Sequence, residues 1–458
     1  MKLTVKEVLE TTKGTTHFQG EEVVINGVST DSRNIQQGEM FVPLIGEQFD
    51  GHDYILNVEK KGAVASLWNR SKPIPKEITI PVIFVDDTLQ SLQDLARYYR
   101  NKVNPKVVGI TGSNGKTTTK DLIASILKTD FHIHKTQGNY NNHIGVPLTL
   151  LSMPENTKVA IIEMGMSHLG EIEVLTQIAR PDLAVITNIG ESHLEFLKTR
   201  ENITLAKLEI TKGLKENGVL ILNGDEPLLR NVLKGMEHSF RLIWVGKNEQ
   251  NNHRYPLNMV QEENEMRFTD SSGEPYQLPL YGSHNVMNAL MAIEVGSQFG
   301  LSSSKIRNGL ARPEMTSMRL EKVVAKNGSV LINDAYNASP TSMKASLQLL
   351  TTFTQYSKKM AILGDMYELG EYAEHYHKEI GTICSSLNLD LLITTGKFGQ
   401  LIAKAALNSG MIQEQVCHFE DIERISPFIL QHTDRNTIIL IKASRGMHLE
   451  RVVQQLLS

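Results

Sequence analysis

The chain has 458 residues, 40% hydrophobic and 21% charged, with a net charge of −4 and two cysteines. That length exceeds one ordinary core and implies two or three domains, and the lack of a basic cluster argues against nucleic acid as the main partner. No run approaches the roughly 20 apolar residues of a membrane span, M-K-L-T-V-K-E-V-L-E has no signal-peptide core, and Cys384 and Cys417 lack metal or disulfide spacing, so a soluble cytoplasmic protein is expected.

Residues 1–103 hold short apolar or alternating runs, Glu22–Val28, Met40–Leu44 and Val82–Val85, between turn-rich stretches. The polar segment from Ser29 leads into an apolar strand and ends near Gly46. A break follows at Asn101–Lys106, N-K-V-N-P-K. From 104 to 312 strand and helix alternate, as in a doubly wound parallel sheet. Its first strand carries Val107, Val108 and Ile110, stops at a glycine loop, and restarts at Lys116 as a helix with Leu122, Ile123, Ile126 and Leu127 on one face.

Strand, glycine loop, Lys-Thr and helix together form a phosphate cradle. N–H groups at the helix start face an anion, Lys116 reaches the terminal phosphates, and the Thr117 hydroxyl can ligate Mg²⁺. The usual spacing wants glycine where Ile110 stands, so T-G-S-N-G-K-T is a variant loop. The plain alternative is a turn that packs a helix on a sheet, but Lys116 and three threonines at the helix start favour nucleotide phosphate.

The next strand, Val159–Ile162, ends in Glu163, a carboxylate suited to Mg²⁺ beside a nucleotide loop or, in isolation, a solvated strand end. Leu183–Ile189 is followed by G-E-S-H, which sets His193 just past a strand. That histidine is either a hydrogen-bonded loop residue or a group at a metal, although magnesium prefers oxygen. Lys207, in T-L-A-K-L-E-I, begins an amphipathic helix and by itself is a solvated lysine. Its ammonium could join a metal site only after conversion to an anion. Gly218–Leu222 is a further strand, and a helix starting near Asn285 leaves that residue as a plain N-cap or a ligand contact. Ligands of such sheets collect beyond the strands' carboxyl ends, where Lys116, Glu163 and His193 could converge.

Residues 313–458 show strand-like runs at Val330–Ile332, Met360–Leu363, Leu391–Thr394 and Thr437–Ile441, a second α/β unit. D-A-Y-N-A-S-P, Asp334–Pro340, is a polar strand-to-helix junction able to read a small polar ligand, or simply a turn and a capped helix. Composition gives no reason to bring Arg319 or Asp334 to the nucleotide.

T-G-S-N-G-K-T-T, G-N-Y-N-N-H-I-G-V-P (Gly138–Pro147), E-M-G-M, T-N-I-G-E-S-H-L-E, L-A-K-L-E-I, G-S-H-N-V-M-N-A-L and N-D-A-Y-N-A-S-P stand in the order of the Mur ligases, which this chain resembles over essentially its whole length. These ATP-dependent amide-bond ligases build the peptidoglycan stem peptide. Within the family, D-A-Y-N-A-S-P followed by L-G-D-M-Y-E-L-G (Leu363–Gly370) is similar to members that add D-alanyl-D-alanine to UDP-N-acetylmuramoyl-tripeptide, and the D-N-P-R of the preceding step's enzyme is absent.

The resemblance implies three α/β domains: a mixed uridine-nucleotide-binding domain over 1–103, a doubly wound P-loop ATP-binding domain over 104–312, and a Rossmann-like domain over 313–458. It implies that Gly112, Asn114, Gly115, Lys116, Thr117 and Thr118 bind ATP, with Asn285 at adenine and Arg319 and Asp334 at phosphate and ribose. Thr117 and Glu163 would hold one Mg²⁺; His193 and Lys207, carbamylated by CO₂, would serve a second. Ser29, Asp31, Ser32, Arg33, Phe41, Gly46, Asn139 and Asn142 would contact the uridine-nucleotide substrate, and Tyr336 and Asn337 the dipeptide. A monomer is expected. The family's glycine before the serine of K-A-S-R-G-M is Ala443 here. Rival readings are a sibling Mur or folate polyglutamate ligase, a simple P-loop ATPase or kinase, and a non-enzymatic nucleotide-binding regulator.

Overall fold

The computed structural model describes residues 1–458, Asn251 by its backbone alone. In the first lobe, strands Gly27–Ser29, Glu39–Phe41, Ala65–Asn69 and Val82–Val85 form a parallel sheet in that order. An antiparallel ribbon pairs Leu3–Thr4 with Val24–Ile25. The long helix Thr88–Val103 starts under an Asp87 cap whose carboxylate accepts from the Leu89 and Gln90 N–H groups.

That helix runs into the expected break and joins two lobes instead of separating them. Its Tyr99 is buried and donates its hydroxyl to the Met153 carbonyl at 2.8 Å. One apolar cluster extends from Val8, Leu67 and Leu95 to Val146, Ile162 and Leu220. The chain changes sheets there without changing cores.

The middle sheet has six parallel strands, ordered Arg241–Val245, Val219–Asn223, Leu183–Ile186, Lys106–Thr111, Val159–Glu163 and Ile133–Lys135. Its central strands are continuous apolar runs buried on both faces, as helices on each side require. After Glu163 the chain crosses from one flank of Lys106–Thr111 to the other, which opens a crevice at the strands' carboxyl ends.

The simple alternation expected up to residue 312 fails at an antiparallel meander, Pro256–Gln261, Met266–Asp270 and Pro275–Leu278. Met266, Phe268, Tyr276 and Leu278 pack it into the core beside the helix Ser283–Gln298. Partly buried Arg254 pairs with buried Asp270 and, at 2.9 Å, with buried Glu294 of that helix.

The third lobe's sheet runs Glu321–Val324, Val330–Asn333, Thr437–Lys442, Lys358–Leu363, Leu391–Thr395 and Val416–Phe419, parallel except for the first strand. The two edge strands had no counterpart in the sequence reading, because both are short and only partly apolar. Among the described residues no helix is long and apolar enough to cross a membrane.

Candidate active site

The loop from Gly112 to Lys116 is shaped by its glycines. Gly112 (φ 149°) and Gly115 (φ 80°) lie where a side chain is strained, and added Cβ atoms would fall 1.9 Å from Thr187 Oγ1 and 2.6 Å from Asn288 Oδ1. The segment Thr187–Gly190 braces this loop. Thr187 Oγ1 donates to the Asn114 carbonyl, Asn188 Oδ1 accepts from Asn114 N–H at 2.9 Å, and Gly190 N–H donates to Ser113 Oγ at 2.8 Å. Lys116 Nζ bonds the Gly112 carbonyl at 2.8 Å, and burial lowers its pKa against the opposing pull of Glu163.

Buried Glu163 accepts from Thr117 Oγ1 at 3.0 Å and from Asn141 Nδ2 at 3.0 Å, with Lys120 Nζ 3.7 Å away. Thr117 and Glu163 thus set hard oxygen donors side by side at the loop. Among the described residues no three His, Cys, Asp or Glu side chains are gathered for a metal, so phosphate and water oxygens would have to complete a Mg²⁺ shell.

His193 follows the brace with a left-handed backbone (φ 68°), and its Nδ1 lies 2.5 Å from Glu368 Oε2 of the third lobe. The contact lacks the alignment of a hydrogen bond but draws the Glu368 carboxyl below its usual pKa. Lys207 is in the last turn of the helix Arg200–Leu208, not at a helix start. It is buried, not solvated, and has no hydrogen-bond or ion-pair partner among the described residues. Burial, and secondarily the charge of Lys116, lower its pKa well below the ordinary value.

The third lobe flanks the crevice. Arg319 lies over the Tyr336 ring, 4.0 Å from its centroid, and reaches Thr117 Oγ1 at 3.4 Å. Ser339 Oγ donates to Asn114 Oδ1 at 3.0 Å, and Thr341 Oγ1 to Glu191 at 2.7 Å. Asp334 is held by Lys442 Nζ at 2.5 Å and Ser346 Oγ at 2.7 Å. The space between the lobes is about 640 Å³, stays open to solvent, and is lined by Asn114, Lys116, Thr118, Asn142, Glu163, His193, Asn285, Arg319, Asp334, Tyr336 and Asn337, among others.

Three Mur ligase profiles match the chain: the Mur ligase family catalytic domain over 24–100, the middle domain over 110–296 and the glutamate ligase domain over 318–445. The UDP-N-acetylmuramoyl-tripeptide--D-alanyl-D-alanine ligase of Bacillus subtilis is 47% identical, with 100% of this chain and 99% of that one aligned. The chain belongs to the Mur ligase family. A crystal structure of MurF from Acinetobacter baumannii superposes with a TM-score of 0.89 at 30% identity, over 100% of this chain and 99% of that one. The MurF ligase of Thermotoga maritima in complex with ADP gives 0.82 at 28% identity, over 94% and 96%. The Mur ligase three-domain α/β architecture is therefore the architecture of this chain.

Other expected site residues of this Mur ligase lie away from the crevice, those for the uridine nucleotide in the first lobe where they were expected. Ser29, Asp31, Ser32, Arg33 and Gly46 belong to the first lobe and do not line the crevice. Asp31 pairs with Arg33, which holds its carboxyl at about 2. Phe41 is a core residue, packed with Ile55, Val58 and Trp68, so its side chain faces no ligand surface. Asn139 is exposed and off the crevice; its neighbour Asn141, which the sequence reading passed over, holds Glu163. Asn285 is inside its helix, capped by Gly282, and donates to the Tyr281 carbonyl at 2.8 Å, so the N-cap alternative is excluded. Glu368, Lys442 and His284 were also missed, although all three lie in motifs singled out from the sequence. Ala443 is buried against Gly364, where a Cβ would come within 2.8 Å of it.

Proposed function

We infer that this Mur ligase joins D-alanyl-D-alanine to UDP-N-acetylmuramoyl-tripeptide with cleavage of ATP to ADP and phosphate. The carrying observation is that the Lys116 loop, Glu163 and Arg319 converge on one crevice, in a chain 47% identical over its full length to a ligase of that name. D-A-Y-N-A-S-P and L-G-D-M-Y-E-L-G support this acceptor over a sibling's.

Activation brings a carboxylate against a triphosphate, so the site must offset like charges. Lys116 and Arg319 provide fixed cations at the loop. The tripeptide's terminal carboxylate attacks the γ-phosphorus and ADP departs, leaving an acyl phosphate. The dipeptide's amine nitrogen then attacks the acyl carbon and loses a proton, and phosphate leaves. Positioning dominates such chemistry, and closure of the third lobe keeps water from the acyl phosphate.

Gly112, Asn114, Gly115 and Thr118 surround the phosphates, Asn285 serves adenine, and Asp334 the ribose. Tyr336 and Asn337 face the dipeptide, Asn142 flanks the substrate, and the half-buried Ser29–Ser32 and Gly46 segments, with exposed Arg33, take the uridine nucleotide. Thr117 and Glu163 suit a first Mg²⁺ and His193 a second; magnesium there supplies charge neutralisation at phosphate oxygens. The neutral amine of Lys207 is the form that adds to CO₂, forming an N–C bond and losing a proton, so a carbamate would give the second ion anionic oxygens. We place the domain boundaries at 103/104 and 312/313, and the working unit as a cytoplasmic monomer.

ADP release measured with the two amide partners separately and together tests the reading. Release only with both is expected; equal release with neither would make the protein a simple ATPase.

A further inference from the structure

The connector between the middle and third lobes is fastened at both ends. Asp121 is buried on the helix Lys116–Leu127, and its Oδ2 accepts from the Thr316 N–H at 2.9 Å and the Thr316 hydroxyl at 2.7 Å. Its Oδ1 pairs with Lys135 at 2.6 Å and lies 3.6 Å from Lys120. Glu314 adds a backbone bond to Ser125 Oγ at 3.1 Å and an ion pair with Lys128 at 2.6 Å. Residues 314–316 are therefore strapped to the helix whose first turn carries Lys116 and Thr117.

At the far end, Met318 N–H donates to Glu321 at 3.0 Å and Leu320 N–H to Asp334 at 3.3 Å. Between the two fixings the backbone is forced. Met318 (φ 61°) and Leu320 (φ 52°) both adopt the left-handed conformation that side chains of this size avoid. The residue between them is Arg319, held over Tyr336 and 3.4 Å from Thr117 Oγ1.

We propose that Asp121 and Thr316 are positioning residues: the buried carboxylate anchors the connector so that Arg319 is delivered to the phosphate loop. The proposal rests on the reading of Arg319 as a phosphate-binding cation. No sequence motif pointed to either residue.

Thr316→Val retains the volume and the N–H but removes the hydroxyl donor, whereas Thr316→Ser restores it. Thr316→Val is expected to weaken binding of the non-hydrolysable analogue AMPPNP, with Mg²⁺ present, about five- to tenfold. It lowers kcat in parallel and leaves KM for UDP-N-acetylmuramoyl-tripeptide unchanged; Thr316→Ser behaves as the parent. In an Arg319→Ala background the valine substitution adds less than about twofold, since coupled residues are not additive. An Arg319→Ala enzyme with parental affinity and turnover would remove the Arg319 reading and the anchor together. A damaging Arg319→Ala combined with a silent Thr316→Val, or losses that multiply in the double variant, would remove the anchor alone.

Discussion

At Lys207, removal of water and the nearby charge of Lys116 both act against the ammonium. The proposed carbamate on this amine predicts that Lys207→Ala loses nearly all ligase activity, with partial recovery in added short-chain carboxylates. Full activity without them would rule out the carbamate. Lys116→Ala should abolish ADP release, since no other lysine touches the loop's Gly112 carbonyl; near-parental turnover would refute its role. His284, enclosed near Lys442 and Lys247, is held neutral, down to about 4 from the ordinary histidine value. Between that value and about 6.5 the unfolded chain takes up a proton that the folded chain refuses, so stability falls as pH drops through this window. Denaturation midpoints across pH 4–7 should show a slope that His284→Gln flattens. The convergence of Lys116, Glu163 and His193 was legible because Glu163 ends a strand and the other two follow one in recognisable runs. Phe41 was misread because a motif position does not say which way a side chain turns. The burial of Lys207 was hidden because a single lysine in an amphipathic run reads as solvated.

Among the elements, the strand, loop and helix at 106–127 were the most legible, because glycine placement, apolar periodicity and the Lys-Thr start are local properties. The meander at 256–278 was not, although Met266–Asp270 and Pro275–Leu278 alternate: each is only four or five residues long, Pro256–Gln261 buries no face, and the packing is supplied by a helix that comes later in the chain. The helix Arg200–Leu208 was placed about two turns too late, because its start is set by the Thr199 cap, not by an apolar run. The loop's shape leads to a prediction at this scale. Gly112→Ala must push its methyl group into Thr187, so ADP affinity measured calorimetrically should fall at least about tenfold, while the far-UV circular dichroism spectrum stays unchanged.

Across the whole molecule, the three-lobe plan could be inferred from motif order, but the meeting of residues some two hundred positions apart could not. Contacts such as Ser339 with Asn114 and Arg319 with Thr117 arise only from folding. The apolar cluster running from Leu67 through Tyr99 to Ile162 sets a mechanical asymmetry. Among the described residues no such continuous cluster joins the third lobe to the middle one, which it meets through hydrogen bonds and ion pairs and through local apolar contacts such as Tyr281 with Phe353. Hydrogen exchange should accordingly give Thr88–Val103 and the middle sheet one shared opening energy, with the third lobe exchanging as its own unit; separate energies for the first two would refute this. On the proposed assignment, the seat for the long nucleotide-sugar substrate and the phosphate loop share one apolar core and so keep a fixed spacing, like an anvil forged in one piece, and any stroke would fall to the last lobe.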